Sequence, residues 1–126
     1  MPMKGIIMTK VLIVDDAVFI RMQLKQLLQE NGFEVVGEAG NGKEALEKIQ
    51  EFKPDLVTLD ITMPEMDGLQ CLAEIKKMEY MPTVIMVSAL GQESFVQEAI
   101  MNGAKGFIVK PYKPHVVVNQ LNRFKK

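Results

Sequence analysis

The chain has 126 residues, 48% apolar and 25% charged, a size and composition that suit one globular domain with its own core. Its net charge of -1 gives no electrostatic reason to expect nucleic acid or an anionic membrane as a partner. Cys71 is the only cysteine, which excludes an internal disulfide and a cysteine-rich metal site and favours a reducing, cytoplasmic location.

The first eight residues, MPMKGIIM, contain an apolar stretch only at Ile6, Ile7 and Met8, too short for the core of a signal peptide. No later run approaches the roughly 18 apolar residues of a membrane span. We therefore expect residues 1–8 to be a short N-terminal extension and residues 9–126 to form one domain without a membrane partner.

Five short runs rich in β-branched residues predict strands. They are Val11–Val14, Val35–Val36, Leu56–Leu59, Val84–Val87 and Phe107–Val109. Most are apolar at every position rather than at every second one. This pattern is typical of strands buried on both faces, as in a parallel sheet covered by helices.

Apolar residues at helical spacing predict a helix after each strand. The stripes are Phe19, Met22, Leu24, Leu27 and Leu28 in the first helix; Ala45, Leu46 and Ile49 in the second; Leu69, Leu72 and Ile75 in the third; Phe95, Val96, Ala99 and Ile100 in the fourth; and residues 116–124 in the fifth. The pairs 31–32 and 102–103, both Asn-Gly, predict helix C-termini, and Asn41 with Glu44 predicts a capped N-terminus.

Strands and helices that alternate in this way predict an α/β fold, a single three-layer doubly wound domain with a five-stranded parallel sheet and five helices. The flavodoxin-like strand order 2-1-3-4-5 is expected by analogy with other folds of this length. In that order the first and third strands are neighbours where the order reverses, which is where such sheets bind ligands.

Polar side chains follow four of the five predicted strands. Asp15 and Asp16 follow the first, Asp60 the third, Ser88 the fourth and Lys110 the fifth. Because the carboxyl ends of parallel strands share one edge of the sheet, we expect these side chains to lie close together. Taken singly each has a simpler interpretation: a helix N-cap, a solvated strand end or a turn residue. The functional interpretation rests on their common position.

Three carboxylates gathered at one edge would repel, at about 4 kcal/mol for a pair about 4 Å apart in an effective dielectric near 20. Either a proton or a cation must offset that repulsion. Oxygen ligands without nearby His or Cys favour Mg²⁺. Lys110 adds a positive charge and Ser88 a hydroxyl, a set of groups that suits the transfer of a phosphoryl group to a carboxylate.

Four segments carry this pattern: VLIVDDA (11–17), VTLDITMPEMDG (57–68), VSA (87–89) and GAKGFIVKP (103–111). Over residues 10–124 the chain resembles the receiver domain of two-component response regulators, and in particular the single-domain chemotaxis regulators. The resemblance implies that Asp60 accepts a phosphoryl group from a kinase histidine. It also implies that Asp15, Asp16, Asp60 and the backbone carbonyl of Thr62 hold Mg²⁺.

The same resemblance implies that Ser88 and Lys110 bind the phosphoryl oxygens. Phosphorylation adds roughly -1.5 to -2 charge, which can draw Ser88 towards it and leave space for Phe107 to turn inward. Ser88 and Phe107 would then form the switch. The output face of the family, made by the fourth helix, fifth strand and fifth helix, would include Val96, Ala104 and Phe107. The Lys110–Pro111 peptide is expected to be cis.

The partners that the resemblance implies are a sensor histidine kinase of the chemotaxis type, a flagellar motor switch protein or another output target, and a phosphatase. We expect a monomer that acts as a switch rather than an enzyme, apart from its own phosphotransfer and dephosphorylation. Because the chain ends one helix after Lys110, we expect no output domain.

Three alternatives stay open on the sequence. The first is a phosphorelay carrier unconnected with chemotaxis. The second is an aspartyl-phosphate phosphohydrolase, which would favour an Asp where Thr62 stands. The third is a flavodoxin-like cofactor binder, which would favour a Ser/Thr/Gly-rich loop where this chain has Asp15-Asp16-Ala17-Val18.

Overall fold

The computed structural model describes residues 7–126, in which five strands alternate with five helices. The elements are β1 (Thr9–Val14), α1 (Val18–Glu30), β2 (Phe33–Ala39), α2 (Gly42–Phe52), β3 (Leu56–Leu59), α3 (Gly68–Lys76), β4 (Thr83–Ser88), α4 (Glu93–Met101), β5 (Gly106–Val109) and α5 (Pro114–Asn122). Every predicted strand and helix is present. The expected extension at residues 1–8 lies mostly outside the described residues, and β1 begins at Thr9.

The five strands form one parallel sheet in the order β2-β1-β3-β4-β5, as predicted. β1 and β3 are neighbours, with Val14 opposite Leu59 in the register. The residues that follow these two strands are therefore adjacent at the carboxyl edge of the sheet, where the strand order reverses.

Alternate residues of the strands pack against helices on the two faces of the sheet. On one face Leu12, Val57 and Met86 join the buried residues of α2, α3 and α4. On the other face Val11 and Ile85 join the buried residues of α1 and α5. This three-layer packing buries both faces of β1, β3 and β4 and explains why their sequences are apolar at nearly every position.

The predicted ends of the helices are mostly confirmed. The Asn41 side chain accepts a hydrogen bond of 2.9 Å from the backbone N–H of Glu44 and so caps α2. Gly32 and Gly103, at φ +85° and +97°, follow the ends of α1 and α4 in the left-handed conformation that glycine favours. The prediction was wrong for α5, which begins at Pro114 rather than at residue 116 and ends at Asn122.

The predicted apolar stripe of α1 was partly wrong. Leu24 and Leu28 are buried and Ile20 packs beside them, because positions four residues apart lie on one face of a helix. Phe19 and Met22 point away from that face, and their side chains are 68% and 61% exposed. In α4 only Ala99 is fully buried. No helix in residues 7–126 has both the length and the apolar composition that a membrane crossing requires.

Candidate functional site

The carboxyl edge of the sheet brings three predicted acidic residues together. Carboxylate oxygens of Asp15, Asp16 and Asp60 all lie within 4.8 Å of one another. Asp15 and Asp60 are buried, whereas Asp16 is exposed, so the cluster opens to solvent on one side. The simpler interpretation of Asp16 as a helix N-cap does not hold, since Ala17 occupies that position of α1.

Lys110 joins this cluster from the loop after β5. Its ammonium group donates hydrogen bonds to Asp15 at 2.6 Å and to Asp60 at 3.2 Å. The Lys110–Pro111 peptide bond is cis, as expected. Burial lowers the pKa of Lys110, but its hydrogen bond to Asp15 and the charge of Asp60 outweigh burial and raise the pKa above its usual value. Lys110 therefore stays positively charged.

The Asp60 carboxylate is fixed at both oxygens, since the backbone N–H of Ile61 donates to Oδ1 at 2.7 Å and Lys110 donates to Oδ2. The side chain lies at the end of β3 and is only 7% exposed. Burial raises the pKa of Asp60, Lys110 opposes that rise, and the neighbouring charge of Asp15 adds to it. Asp60 is thus a buried anion that a nearby cation would stabilise.

The donor set fits a hard divalent cation. With all three carboxylates ionised and Lys110 protonated, the cluster carries three negative charges and one positive charge, a net charge of -2. The side chains that could hold the ion are all carboxylates, with an open side at Asp16 where water and phosphate oxygens have access. Mg²⁺ binds in this manner, through one or two carboxylates and several other oxygens.

The loop between β3 and α3 packs against the backbone at Asp60 and Ile61 and so fixes the position of Asp60. The N–H of Gly68 donates to the carbonyl of Ile61 at 2.7 Å, which folds the loop back on the end of β3. A Cβ atom at Gly68 would lie 1.9 Å from the carbonyl oxygen of Asp60, so only glycine fits there. Asp67 caps α3 through a reciprocal pair of bonds with Gln70. Thr62 lies in the exposed part of this loop.

Ser88 ends β4 and is buried. Its hydroxyl oxygen accepts a hydrogen bond of 3.2 Å from the N–H of Leu90, and its carbonyl accepts one of 2.9 Å from the N–H of Lys110. Phe107, in the neighbouring strand β5, is half-buried and packs against the core beneath α2, α3 and α4. The two expected switch residues therefore lie on adjacent strands, with Ser88 at the carboxyl edge of the sheet.

The residues expected at the output face have different exposures. Val96 is half-exposed on α4 and Phe107 half-exposed on β5. Ala104 was expected at the same face, but it is only 4% exposed because it packs into the core beside Ala99. Ala104 therefore supports the face from beneath and offers almost no surface to a partner.

Sequence reasoning missed the structural role of Arg21. Its guanidinium group donates to the backbone carbonyl of Asp15 at 2.5 Å and pairs with Glu38 at 3.0 Å. The available signal was a basic residue in the first turn of the helix that follows the acidic pair. Sequence reasoning also missed the exposed apolar surface formed by Val18, Phe19 and Met22, which we call the α1 face.

A model of the response regulator receiver domain matches residues 11–122, so the chain belongs to the response regulator receiver family. Within that family, it is 55% identical over 117 residues to the chemotaxis protein CheY of Thermotoga maritima, which covers 93% of this chain and 98% of that protein. It is also 55% identical over 114 residues to CheY of Bacillus subtilis, covering 90% of this chain and 95% of that protein.

A solved structure gives the same result. The CheX-CheY-BeF3-Mg complex from Borrelia burgdorferi contains a chain that matches with a TM-score of 0.89 and 44% identity, over 94% of this chain and 90% of that one. The expected family, its resemblance to chemotaxis regulators and the flavodoxin-like fold are confirmed. The chain described here is a receiver domain of the CheY type.

Proposed function

We propose that this chain is a Mg²⁺-dependent phospho-acceptor switch of a two-component system. The observation that carries the proposal is the buried, oriented carboxylate of Asp60, which lies beside Asp15, Asp16 and Lys110 at the open edge of the sheet. Asp15, Asp16, Asp60 and the Thr62 carbonyl would hold the metal, which would neutralise charge on the phosphoryl oxygens.

Asp60 is the nucleophile. A carboxylate oxygen of Asp60 forms a bond to the phosphorus of a phosphohistidine, and the phosphorus–nitrogen bond breaks. The histidine nitrogen leaves with that electron pair and takes up a proton. Lys110, held by Asp15 at 2.6 Å, presents its ammonium group to the phosphoryl oxygens. Burial of Asp60 keeps bulk water away from the carboxylate that reacts.

Phosphorylation changes the hydrogen bonds of the β4–α4 loop. In the unphosphorylated protein the Ser88 hydroxyl accepts from Leu90 in its own loop. A phosphoryl group on Asp60 offers a charged acceptor to which the O–H of Ser88 can donate. Ser88 moves towards it, the loop follows, and Phe107 on the neighbouring strand fills the space, which alters the output face at Val96 and Phe107.

The α1 face is the surface on which the phosphodonor protein docks. Phe19 and Met22 are apolar, exposed and placed at the start of the helix that begins two residues after Asp16. A partner that delivers a phosphohistidine to Asp60 has to approach from this open side of the cluster. Burial of these two side chains would supply apolar contact area next to the reaction.

The pathway is chemotaxis, with a chemotaxis-type histidine kinase as donor and a flagellar motor switch protein as target, in the cytoplasm. The support is the identity to two CheY proteins. Because the Borrelia relative was solved with CheX, we also expect a protein of the CheX type among the partners. The chain acts as a monomer and turns over no substrate other than its own phosphoryl group.

Labelling with acetyl phosphate tests the phospho-acceptor. The wild-type chain should gain base-labile phosphate only when Mg²⁺ is present, and Asp60→Asn should gain none. Equal labelling of Asp60→Asn, or labelling of the wild type in a chelating buffer, would contradict the proposal. A swimming assay in a bacterium that lacks its own CheY tests the pathway, with Asp60→Asn as the matched control.

A further inference from the structure

Arg21 links the first acidic loop to the neighbouring strand. It lies on the first turn of α1, with its backbone N–H bonded to the carbonyl of Ala17 at 3.1 Å. Its side chain is largely buried and reaches back under the loop, where Nη1 donates to the Asp15 carbonyl at 2.5 Å. On the other side Nε donates to Glu38 of β2 at 3.0 Å.

The bond to the Asp15 carbonyl fixes the position of Asp16. That carbonyl belongs to the planar peptide joining Asp15 to Asp16, so the group that holds its oxygen sets the plane from which Asp16 emerges. Asp15 is already held by Lys110, by the N–H of Ala17 at 2.9 Å and by its own pairing with Ala39. Asp16, by contrast, is exposed, and its position depends on the orientation of this peptide.

Glu38 neutralises the charge that Arg21 brings close to the site. An unpaired guanidinium near three carboxylates would oppose the binding of a divalent cation. Glu38 pairs with Arg21 and is itself oriented by Lys48, whose ammonium donates to the Glu38 backbone carbonyl, and more weakly by Lys25 at 3.8 Å. Arg21 can therefore hold the loop through its hydrogen bond to Asp15 while Glu38 offsets most of its charge.

We propose that Arg21 is a positioning residue for Mg²⁺, which preorganises Asp16 through the carbonyl of Asp15. This rests on the proposed function, since it requires that the acidic cluster binds the metal. Outer groups that orient metal ligands typically contribute 10- to 100-fold to metal affinity. Removal of a positive charge by itself strengthens cation binding. Loss of the positioning role of Arg21 should therefore lower Mg²⁺ affinity, whereas loss of its charge should raise it.

Calorimetric titration with MgCl₂ tests the inference, since the chain has no tryptophan to report binding by fluorescence. Arg21→Ala and Arg21→Gln should weaken Mg²⁺ binding by roughly tenfold or more. Arg21→Lys should recover part of the loss, because one ammonium group cannot satisfy Asp15 and Glu38 with the geometry of a guanidinium. Lys25→Ala is the matched control, since it removes the same charge from Glu38 without touching the loop, and it should bind Mg²⁺ at least as tightly as the wild type does.

Hydrogen exchange of the metal-free protein supplies a second measurement. The amides of the 15–17 loop should exchange faster in Arg21→Gln than in the wild type, while those of β3 should keep their rates. Mg²⁺ affinity that is unchanged or tighter in folded Arg21→Ala and Arg21→Gln would overturn the inference and leave the proposed function standing. A wild-type chain that does not bind Mg²⁺ would overturn both.

Discussion

Asp60 occupies its place in the fold at a cost in stability. Its pKa is raised by burial and by Asp15, and Lys110 only partly opposes that rise. A carboxyl whose pKa is higher in the folded state stabilises the fold fully below its unfolded value of 3.8, and that stabilisation is lost as the pH rises through the raised pKa. At neutral pH, without a metal, ionised Asp60 therefore destabilises the protein.

Asp60→Asn should consequently be more stable than the wild type in a chelating buffer at pH 7. We expect the melting temperature to rise by a few degrees, and the difference to shrink as the pH falls from 7 through the raised pKa of Asp60, where the wild-type carboxyl becomes protonated. Thermal unfolding followed by circular dichroism over this pH range measures both effects. An Asp60→Asn variant less stable than the wild type at pH 7 would contradict the conclusion that ionised Asp60 destabilises the fold.

Asp55 is a control with the opposite sign. Burial tends to raise its pKa, but the backbone N–H of Lys10 and the ammonium of Lys126 outweigh burial and lower the pKa. Ionised Asp55 therefore stabilises the fold above its unfolded pKa, and that contribution is lost as the pH falls through the lowered value. Asp55→Asn should lower the melting temperature at pH 7, so a rise in both variants would indicate a general effect of charge removal.

Among the elements, the loop between β3 and α3 tolerates least change. Gly68→Ala would place a methyl group 1.9 Å from the Asp60 carbonyl oxygen, so the loop must move and carry Thr62 and the end of β3 with it. We expect a loss of about 2 kcal/mol or more in the free energy of unfolding. Urea denaturation measures this free energy.

Gly40→Ala is the control, because its methyl group would meet no atom closer than 3.6 Å and should change stability little. A Gly68→Ala variant as stable as Gly40→Ala would show that the loop is not held as described.

The α1 face provides a second test at the level of elements. Phe19→Ala and Met22→Ala remove exposed side chains, so stability and labelling by acetyl phosphate should change little. Phosphotransfer from a chemotaxis histidine kinase should slow by roughly tenfold, which corresponds to about 1.4 kcal/mol of lost contact energy. Met101→Ala removes an even more exposed methionine, at the last position of α4, and should leave transfer unaffected. Equal transfer rates in all three variants would place the donor elsewhere.

At the scale of the whole molecule, the sequence was sufficient to predict the strands and the residues that lie at the carboxyl edge of the sheet. Runs such as Leu56–Leu59 are buried on both faces, so their pattern identifies the strand, and the residue that follows it must lie at the sheet edge. Asp15, Asp60 and Lys110 could be placed together for that reason. Which side chains a helix exposes depends on how it rotates against the sheet, so Phe19 and Met22 were assigned to the wrong face of α1.

Individual side-chain pairings between elements were also beyond prediction. Arg21 at the start of α1 pairs with Glu38 near the end of β2, and nothing in either segment specifies that pairing. Ala104 was expected at the output face but is buried beside Ala99 of α4. The chain changes direction at Gly103, which has a positive φ, and so carries Ala104 into the core. Such placements follow from three-dimensional packing rather than from the pattern of a single segment.

Above all, the buried carboxylate of Asp60 is expected to receive the phosphoryl group in a reaction that requires Mg²⁺. Borohydride reduction of the protein after treatment with acetyl phosphate, followed by peptide mass spectrometry, tests it most directly, because an aspartyl phosphate is reduced to homoserine at the modified position. We expect homoserine at position 60 when Mg²⁺ is present and none in a chelating buffer. Homoserine at Asp15 or Asp16, or none at any position with Mg²⁺ present, would contradict the account.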